Sequence, residues 1–317
     1  MKRDKVNKLL QAIAQLSWRQ RKLLQDSLEV LQARDASTRA IESHVPSSCP
    51  SCGGTHIVKD GFATGLQRYL CRSCQRTFNA LTATPLAGLH KRGKWLQHAQ
   101  ALGAGLSIPQ VARQLGIARS TAFRWRHRFL QLPSQRQASA LVGIAEADES
   151  YFLESEKGER GLLRKARHRG GKASKPGASK EQVAVLMVRD RAGATANLMV
   201  SRTTAAQLSD ALKPMLPADT VLCTDGSRAL AAAAHLLGVQ HHGVNVSAGV
   251  RVDGPWHVQN VNAYVSRLRS WMRRFKGVAT KYLASYLGWF RMLDRAPQSS
   301  PQPASVLDLA MAARTHQ

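Results

Sequence analysis

Apolar residues recur at helical spacing from the start of the chain: Val6, Leu9, Leu10, Ile13 and Leu16, then Leu23, Leu24, Leu28 and Leu31. Positions three and four apart share one helix face. Residues 1–34 therefore predict two helices, the second opened by Ser17 with Gln20 in a capping-box position. Residues 1–40 form a helical arm, either a small hairpin or an arm that docks a partner. Residues 94–132 predict three short helices, and the polar run 133–140 a linker. Beyond it the period changes. Strands are expected at 143–152, 182–189, 197–202 and 220–224, and helices at 204–215, 227–237 and, as one long element, about 257–293. Three strands, a helix, a strand and further helices is an α/β order over 141–295, with a mixed sheet. Residues 296–317 are rich in Pro, Ser and Ala and predict a loose tail with one short helix at most.

Charge narrows the partners. Lys and Arg number 46 against 20 Asp and Glu, a formal net charge of +26. Such a surplus repels itself unless a polyanion neutralises it, and nucleic acid is the usual one. No apolar run is long enough to span a bilayer, so no membrane is expected. The amphipathic N-terminus does not read as a secretory signal.

Four of five cysteines fall into two C-x-x-C pairs, Cys49/Cys52 and Cys71/Cys74. Each pair offers two thiolates from one tight turn, and the intervening hairpin brings the pairs together. Residues 44–80 therefore read as a zinc ribbon with a filled, structural Zn²⁺ site. A redox dithiol or incidental cysteines are the alternative. His44 and His56 read as surface residues. Tyr69 and Phe78 would cover the apolar side, and Cys223 is a buried apolar filler.

Residues 107–130 fit a helix-turn-helix, within a DNA-binding domain at 94–132. Ser107 caps the first helix with Gln110, and Val111, Ala112 and Leu115 face inward. Gly116 turns the chain above Ile117, and Ser120 caps the second helix. Trp125 and Phe129 face inward, while Arg119, Thr121, Arg124, Arg126, His127 and Arg128 face outward. Arginine on a helix in the major groove reaches guanine edges or phosphates. An ordinary helical pair with a solvated basic face is the bland alternative.

Acids are scarce after residue 140, so those placed on strands stand out. Asp148 lies in the apolar strand GIAEADESYFL, and Asp225 ends the run TVLCTDGS. A carboxylate buried in a strand is costly unless paired or metal-bound. The two suggest a shared Mg²⁺ or Mn²⁺ site, in which two metals would activate a water or a DNA 3′-hydroxyl. Each also has a local reading, Asp225–Gly226 being a common turn pair. Glu149 is expected to point away from Asp148, because strand neighbours face opposite sides. No Asp or Glu lies between Pro255 and Leu293, so the best oxygen donor on the late helix is Asn262, with Asp253 a compensating acid. Arg269 follows on about the same helix face. His257 either orients a phosphate or water, or caps the helix.

The ribbon, the ADESYF strand, the TDG turn and the segment HHGVNVS…HVQNVNAYVSRLR together resemble insertion-sequence transposases of the ISXO-two-like group. On that alignment His257 matches a histidine, Gln259 an asparagine, Asn262 the third metal ligand, Tyr264 an aromatic and Arg269 a lysine. The family's usual ligand at the third position is Glu. The resemblance implies an RNase H-like catalytic domain with an Asp-Asp-Asn site at Asp148, Asp225 and Asn262. It also implies cleavage at element ends, strand transfer into target DNA, and an assembly of at least two chains on double-stranded DNA in the bacterial cytoplasm.

Residues 160–180 carry eight Lys or Arg and no acid. Arg164, Lys165 and Arg167 are candidates to grip the DNA backbone, unless the loop is merely solvated. The late helix adds Arg267, Arg273, Arg274, Lys276 and Lys281 around Trp271 and Phe275. Two rival functions remain: a DNA-binding regulator without catalysis, and a decayed transposase that binds but no longer cuts.

Overall fold

The computed structural model describes residues 3–162, 165, 170–175, 179–245, 248–295 and 301–312. Arg164 and Arg167 lie outside the described residues. The chain divides into two compact units, one running to Phe129 and taking back the chain from Pro301, the other spanning Leu130–Ser300.

The first unit opens with α1 (Arg3–Ala14) and α2 (Trp18–Glu42). The expected capping box at Ser17 is present: its hydroxyl accepts the Gln20 backbone N–H, and the Gln20 side chain accepts the Ser17 backbone N–H at 2.9 Å. Ser37 and Ile41 at the end of α2 are buried, whereas Leu9, Leu10, Leu23 and Leu31 are exposed. A three-stranded antiparallel sheet follows, β1 (Ile57–Ala63), β2 (Leu66–Cys71) and β3 (Thr77–Phe78). Then come α3 (Trp95–Gly103), α4 (Ile108–Leu115) and α5 (Arg119–Phe129). Ser107 caps α4 with Gln110 as the sequence predicts, and Gly116 ends it at φ +58. That left-handed conformation costs glycine little. Helix α5 begins at Arg119, so Ser120 sits in its first turn instead of capping it.

Within the C-terminal segment the one short helix that the sequence allowed is present. Pro303–Met311 form a helix whose Val306, Leu307, Ala310 and Met311 are buried, and it packs on α3, α5 and α2. Its apolar positions repeat at helical spacing, which the Pro-rich approach to it masks in the sequence.

The second unit begins with α6 (Gln131–Gln135), where a linker was expected. A five-stranded mixed sheet follows, built from β4 (Ile144–Leu153), β5 (Gln182–Asp190), β6 (Thr195–Val200), β7 (Val221–Thr224) and β8 (Gln240–Gly243), in the order β6-β5-β4-β7-β8. β4, β5 and β6 pair antiparallel, whereas β7 and β8 run parallel to β4. Helices α7 (Ala205–Leu212) and α8 (Arg228–Leu237) flank β7 in the chain. Leu208, Leu212, Leu230 and Ala233 on these helices pack with Ala145, Ala147, Leu186 and Val188 of β4 and β5. Helices α9 (Gln259–Met272) and α10 (Leu283–Asp294) pack against β4, β5 and β6. Val185, Leu186, Met187 and Val188 are all buried, because β5 is covered on both faces; hence its unbroken apolar run.

The long helix expected over 257–293 is two helices. Lys276 and Gly277 adopt φ +52 and +91 between them, which no continuous helix tolerates. Trp271, Phe275, Tyr286 and Trp289 close over this corner with ring centroids 4.8–6.3 Å apart. α10 meets the chain at Pro133 so closely that a Cβ on Gly288 would lie 2.6 Å from the Pro133 carbonyl carbon and 2.7 Å from Ser134 Cα. Arg291, 2% exposed, donates to Asn197 Oδ1 at 2.7 Å and to the Pro133 carbonyl at 3.1 Å. Burial lowers its pKa to about 10. Among the described residues no helix is long and apolar enough to cross a membrane.

Candidate active site

Alternation along β4 sets the site. Ala145 and Ala147 face the α7/α8 core, so Glu146, Asp148, Ser150 and Phe152 share the other face. The parallel register pairs Ala147 with Thr224. The next residue on each strand is an aspartate, so Asp148 and Asp225 emerge side by side where β7 ends. Gly226, at φ +90, then turns the chain into α8.

Carboxylate oxygens of Asp148, Glu149 and Asp225 lie within 4.8 Å of one another. Asp148 and Asp225, paired from the sequence, stand together, and Glu149 joins them in place of the outward position that strand alternation offered. Where β7 has ended beside it, Glu149 meets Ser227, the N-cap of α8, whose hydroxyl donates to Glu149 Oε1 at 3.2 Å. Burial, reinforced by the charge of Asp225, raises the Asp148 pKa to about 6. Burial also raises that of Glu149, against the Ser227 hydrogen bond. Arg269 opposes the shift at Asp148, and its guanidinium donates to Ser150 Oγ at 3.4 Å. Three carboxylates this close repel unless a proton or cation intervenes, and hard oxygen ligands are what Mg²⁺ prefers.

Asn262 lies on an exposed face of α9. Asp253 is not part of the carboxylate group: its carboxylate meets His242 Nε2 at 3.1 Å.

Glu146 is fully buried and was not singled out in the sequence. It accepts the backbone N–H groups of Asn260 at 2.7 Å and Val261 at 3.0 Å, the Asn260 side-chain amide at 2.8 Å, and Arg191 Nε at 3.0 Å. These are first-turn amides of α9, where a negative charge is favoured. His257 belongs to this cluster. Its Nδ1 lies 3.3 Å from Glu146 Oε1, and its Nε2 accepts from Arg191 at 2.8 Å. An acid two residues before Asp148, on the same strand face, was the available signal.

The cysteine pairs meet as expected. Cys49 and Cys74 sulfurs are 3.7 Å apart, and those of Cys52 and Cys71 are 3.6 Å apart. Zn–S bonds of about 2.3 Å in a tetrahedron place sulfurs roughly 3.8 Å apart, so the cluster fits zinc. The Ser51 amide donates to Cys49 Sγ at 3.4 Å, which favours thiolate. Tyr69 and Phe78 stack at 5.8 Å and pack with Cys49 and Cys71.

On α5, Arg119 and Arg124 are exposed and Thr121 is half-buried. Arg126 does not face outward: it is 1% exposed and donates to the Leu106 carbonyl. Arg128 turns back too, donating to the carbonyls of Pro85 and, at 2.8 Å, Ala87. Both are long enough to reach the loops preceding their own helix pair. Lys165 is exposed.

Residues 140–291 match the ISXO2-like transposase domain family. The chain carries an ISXO2-like transposase domain. Residues 91–133, preceding it, match a homeodomain-like domain, a helix-turn-helix DNA-binding domain. The chain is 26% identical over 248 residues to an uncharacterized protein in transposable element ISH50 of Halobacterium salinarum, covering 77% of this chain and 84% of that protein. Among solved structures it is similar to a chain of the simian T-cell lymphotropic virus intasome in complex with PP2A regulatory subunit B56 gamma. That match has 11% identity and a TM-score of 0.28, covering 62% of this chain and 68% of that one. It is also similar to a pre-cleavage Mos1 transpososome, with 12% identity and a TM-score of 0.21, covering 70% and 79%.

Proposed function

We propose that this transposase binds the ends of its mobile element and catalyses metal-dependent strand cleavage and strand transfer into target DNA. The carrying observation is the convergence of the Asp148, Glu149 and Asp225 carboxylates within 4.8 Å. The order of the mixed sheet, with three antiparallel strands followed by two parallel to the first, supports an RNase H-like domain. In this reading the chain falls into a helical arm (1–40), a zinc ribbon (44–80), a helix-turn-helix (94–132) and a catalytic domain (141–295).

Asp148 and Asp225 would hold Mg²⁺ or Mn²⁺, with Glu149 as the third carboxylate; Asn262 on α9 is a further candidate ligand. The metal supplies Lewis-acid stabilisation and a nucleophile when bound. Arg269, beside Asp148 and Ser150, orients a phosphate. Glu146 fixes the start of α9, and thereby where Arg269 and Asn262 stand; His257 braces Glu146 together with Arg191. Cys49, Cys52, Cys71 and Cys74 hold structural zinc. Arg119, Thr121 and Arg124 contact DNA from α5, and Arg164, Lys165 and Arg167 contact its backbone. Two or more copies act together on paired ends.

The test is nicking of DNA carrying the element's ends, with Mg²⁺ or Mn²⁺, by wild type and by Asp148→Ala and Asp225→Ala. Activity surviving both substitutions removes this site.

A further inference from the structure

A cavity of about 1170 Å³ opens at the far end of β4 in the transposase domain, lined by Tyr151, Phe152 and Leu153 of that strand. Phe152, Met272 and Leu283 give it apolar surface, and its five Lys and Arg, with Arg269, Arg273 and Lys276 among them, outnumber its three Glu. Two observations tie it to the carboxylate site. Phe152 is on the same β4 face as Asp148, four residues along, or roughly 13 Å at strand spacing. Arg269 lines the cavity while also reaching Ser150 and acting on Asp148. A strand with a phosphodiester at the carboxylates therefore passes Arg269 and arrives here.

The lining suits one state of that strand. Phosphates match the arginines and lysine, and a flat unpaired base matches an aromatic and aliphatic floor. A paired base is already stacked in its helix and offers no free face to Phe152. We propose that this cavity holds unpaired nucleotides of the strand being processed, stacked on Phe152, with their phosphates on Arg269, Arg273 and Lys276. This rests on the nuclease reading for its substrate, and it adds a preference for frayed or extended ends over blunt ones.

The test uses the full chain without divalent cation, so that nothing is cut. Fluorescence anisotropy compares a blunt duplex, the same duplex with a short single-stranded extension, and the same extension made abasic. The extended duplex binds about fivefold tighter than the blunt one or better, the scale of one stacked base, and the abasic extension loses most of that gain. In Phe152→Leu, and independently in Met272→Trp, which fills the cavity, the ratio of extended to blunt affinity falls to about one. Equal binding of natural and abasic extensions, or a preference that survives both substitutions, overturns the proposal. Cleavage lost in Asp148→Ala with the preference intact upholds both readings. A preference for extensions in a protein that never cuts upholds this inference and sinks only the nuclease.

Discussion

The side-chain amide of Asn260 donates to Glu146 at 2.8 Å, joining the first turn of α9 to the strand that carries Asp148. Glu146 is a fully buried carboxylate satisfied by two backbone amides, that side chain, Arg191 and His257. Removing one partner of a buried charged cluster leaves the others unpaired. Glu146→Ala is expected to destabilise the transposase domain by about 3–5 kcal/mol in denaturant unfolding. Glu146→Gln should cost less, because the amide oxygen still accepts from α9. A surface-like change of a few tenths of a kcal/mol in Glu146→Ala contradicts the role.

Two of the four arginines on α5 separate recognition from architecture. Arg124 is exposed and Arg126 is buried against the Leu106 carbonyl. Arg124→Ala should weaken DNA binding and lower the slope of log K against log salt by about one, with stability unchanged. Arg126→Ala should instead lower stability by about 2 kcal/mol. Titrations at several salt concentrations, beside thermal melts, read both.

How legible all this was depends on the source of each signal. β4, the Ser17 and Ser107 capping boxes and the cysteine knuckles are local patterns, and they appear where the sequence placed them. β8 was missed because Gln-His-His-Gly has no apolar alternation; it is a strand only because β7 offers a parallel edge. The long late helix was overextended because the Lys276–Gly277 break is a backbone conformation that composition barely marks. Arg126 looked like a DNA contact because its charge suits one, while its burial depends on a loop twenty residues upstream. At the site, Asp148 and Asp225 were readable as acids in apolar strands. Glu149 was not, since simple alternation hides its contact with Ser227 of another element.

His98 is fully buried on α3, and neither ring nitrogen has a hydrogen-bond partner among the described residues. It packs edge-on to Trp125 and Phe129 at 5.5 and 4.9 Å. Burial, then the charge of Arg126, lowers its pKa from 6.5 to about 3. The unfolded ring takes a proton below its ordinary value, while the folded ring refuses it until far lower. Its contribution is therefore complete above pH 6.5 and is lost as pH falls toward 3, at up to about 1.4 kcal/mol per pH unit. His98→Phe should flatten the stability profile of the DNA-binding unit between pH 6.5 and 4. An unchanged slope contradicts the assignment.

Zinc removal is the matching test for the ribbon. One zinc per chain is expected by atomic spectroscopy, lost in Cys52→Ser with Cys71→Ser. Strong chelation should unfold β1–β3, since structural zinc supplies roughly 10 kcal/mol or more to small fingers. A metal-free protein whose ribbon amides stay protected from hydrogen exchange contradicts it.

The most direct test of the central claim is divalent-cation-dependent nicking of element-end DNA by wild type, Asp148→Asn, Asp225→Asn and Glu149→Gln, with Asn262→Ala alongside. Wild type should nick only with Mg²⁺ or Mn²⁺. The two aspartate variants should fall at least about 1,000-fold, the scale of a lost catalytic group. Glu149→Gln should fall further than Asn262→Ala if the carboxylate group is the metal site. Nicking at wild-type rate by Asp148→Asn, or nicking indifferent to chelator, would contradict the account.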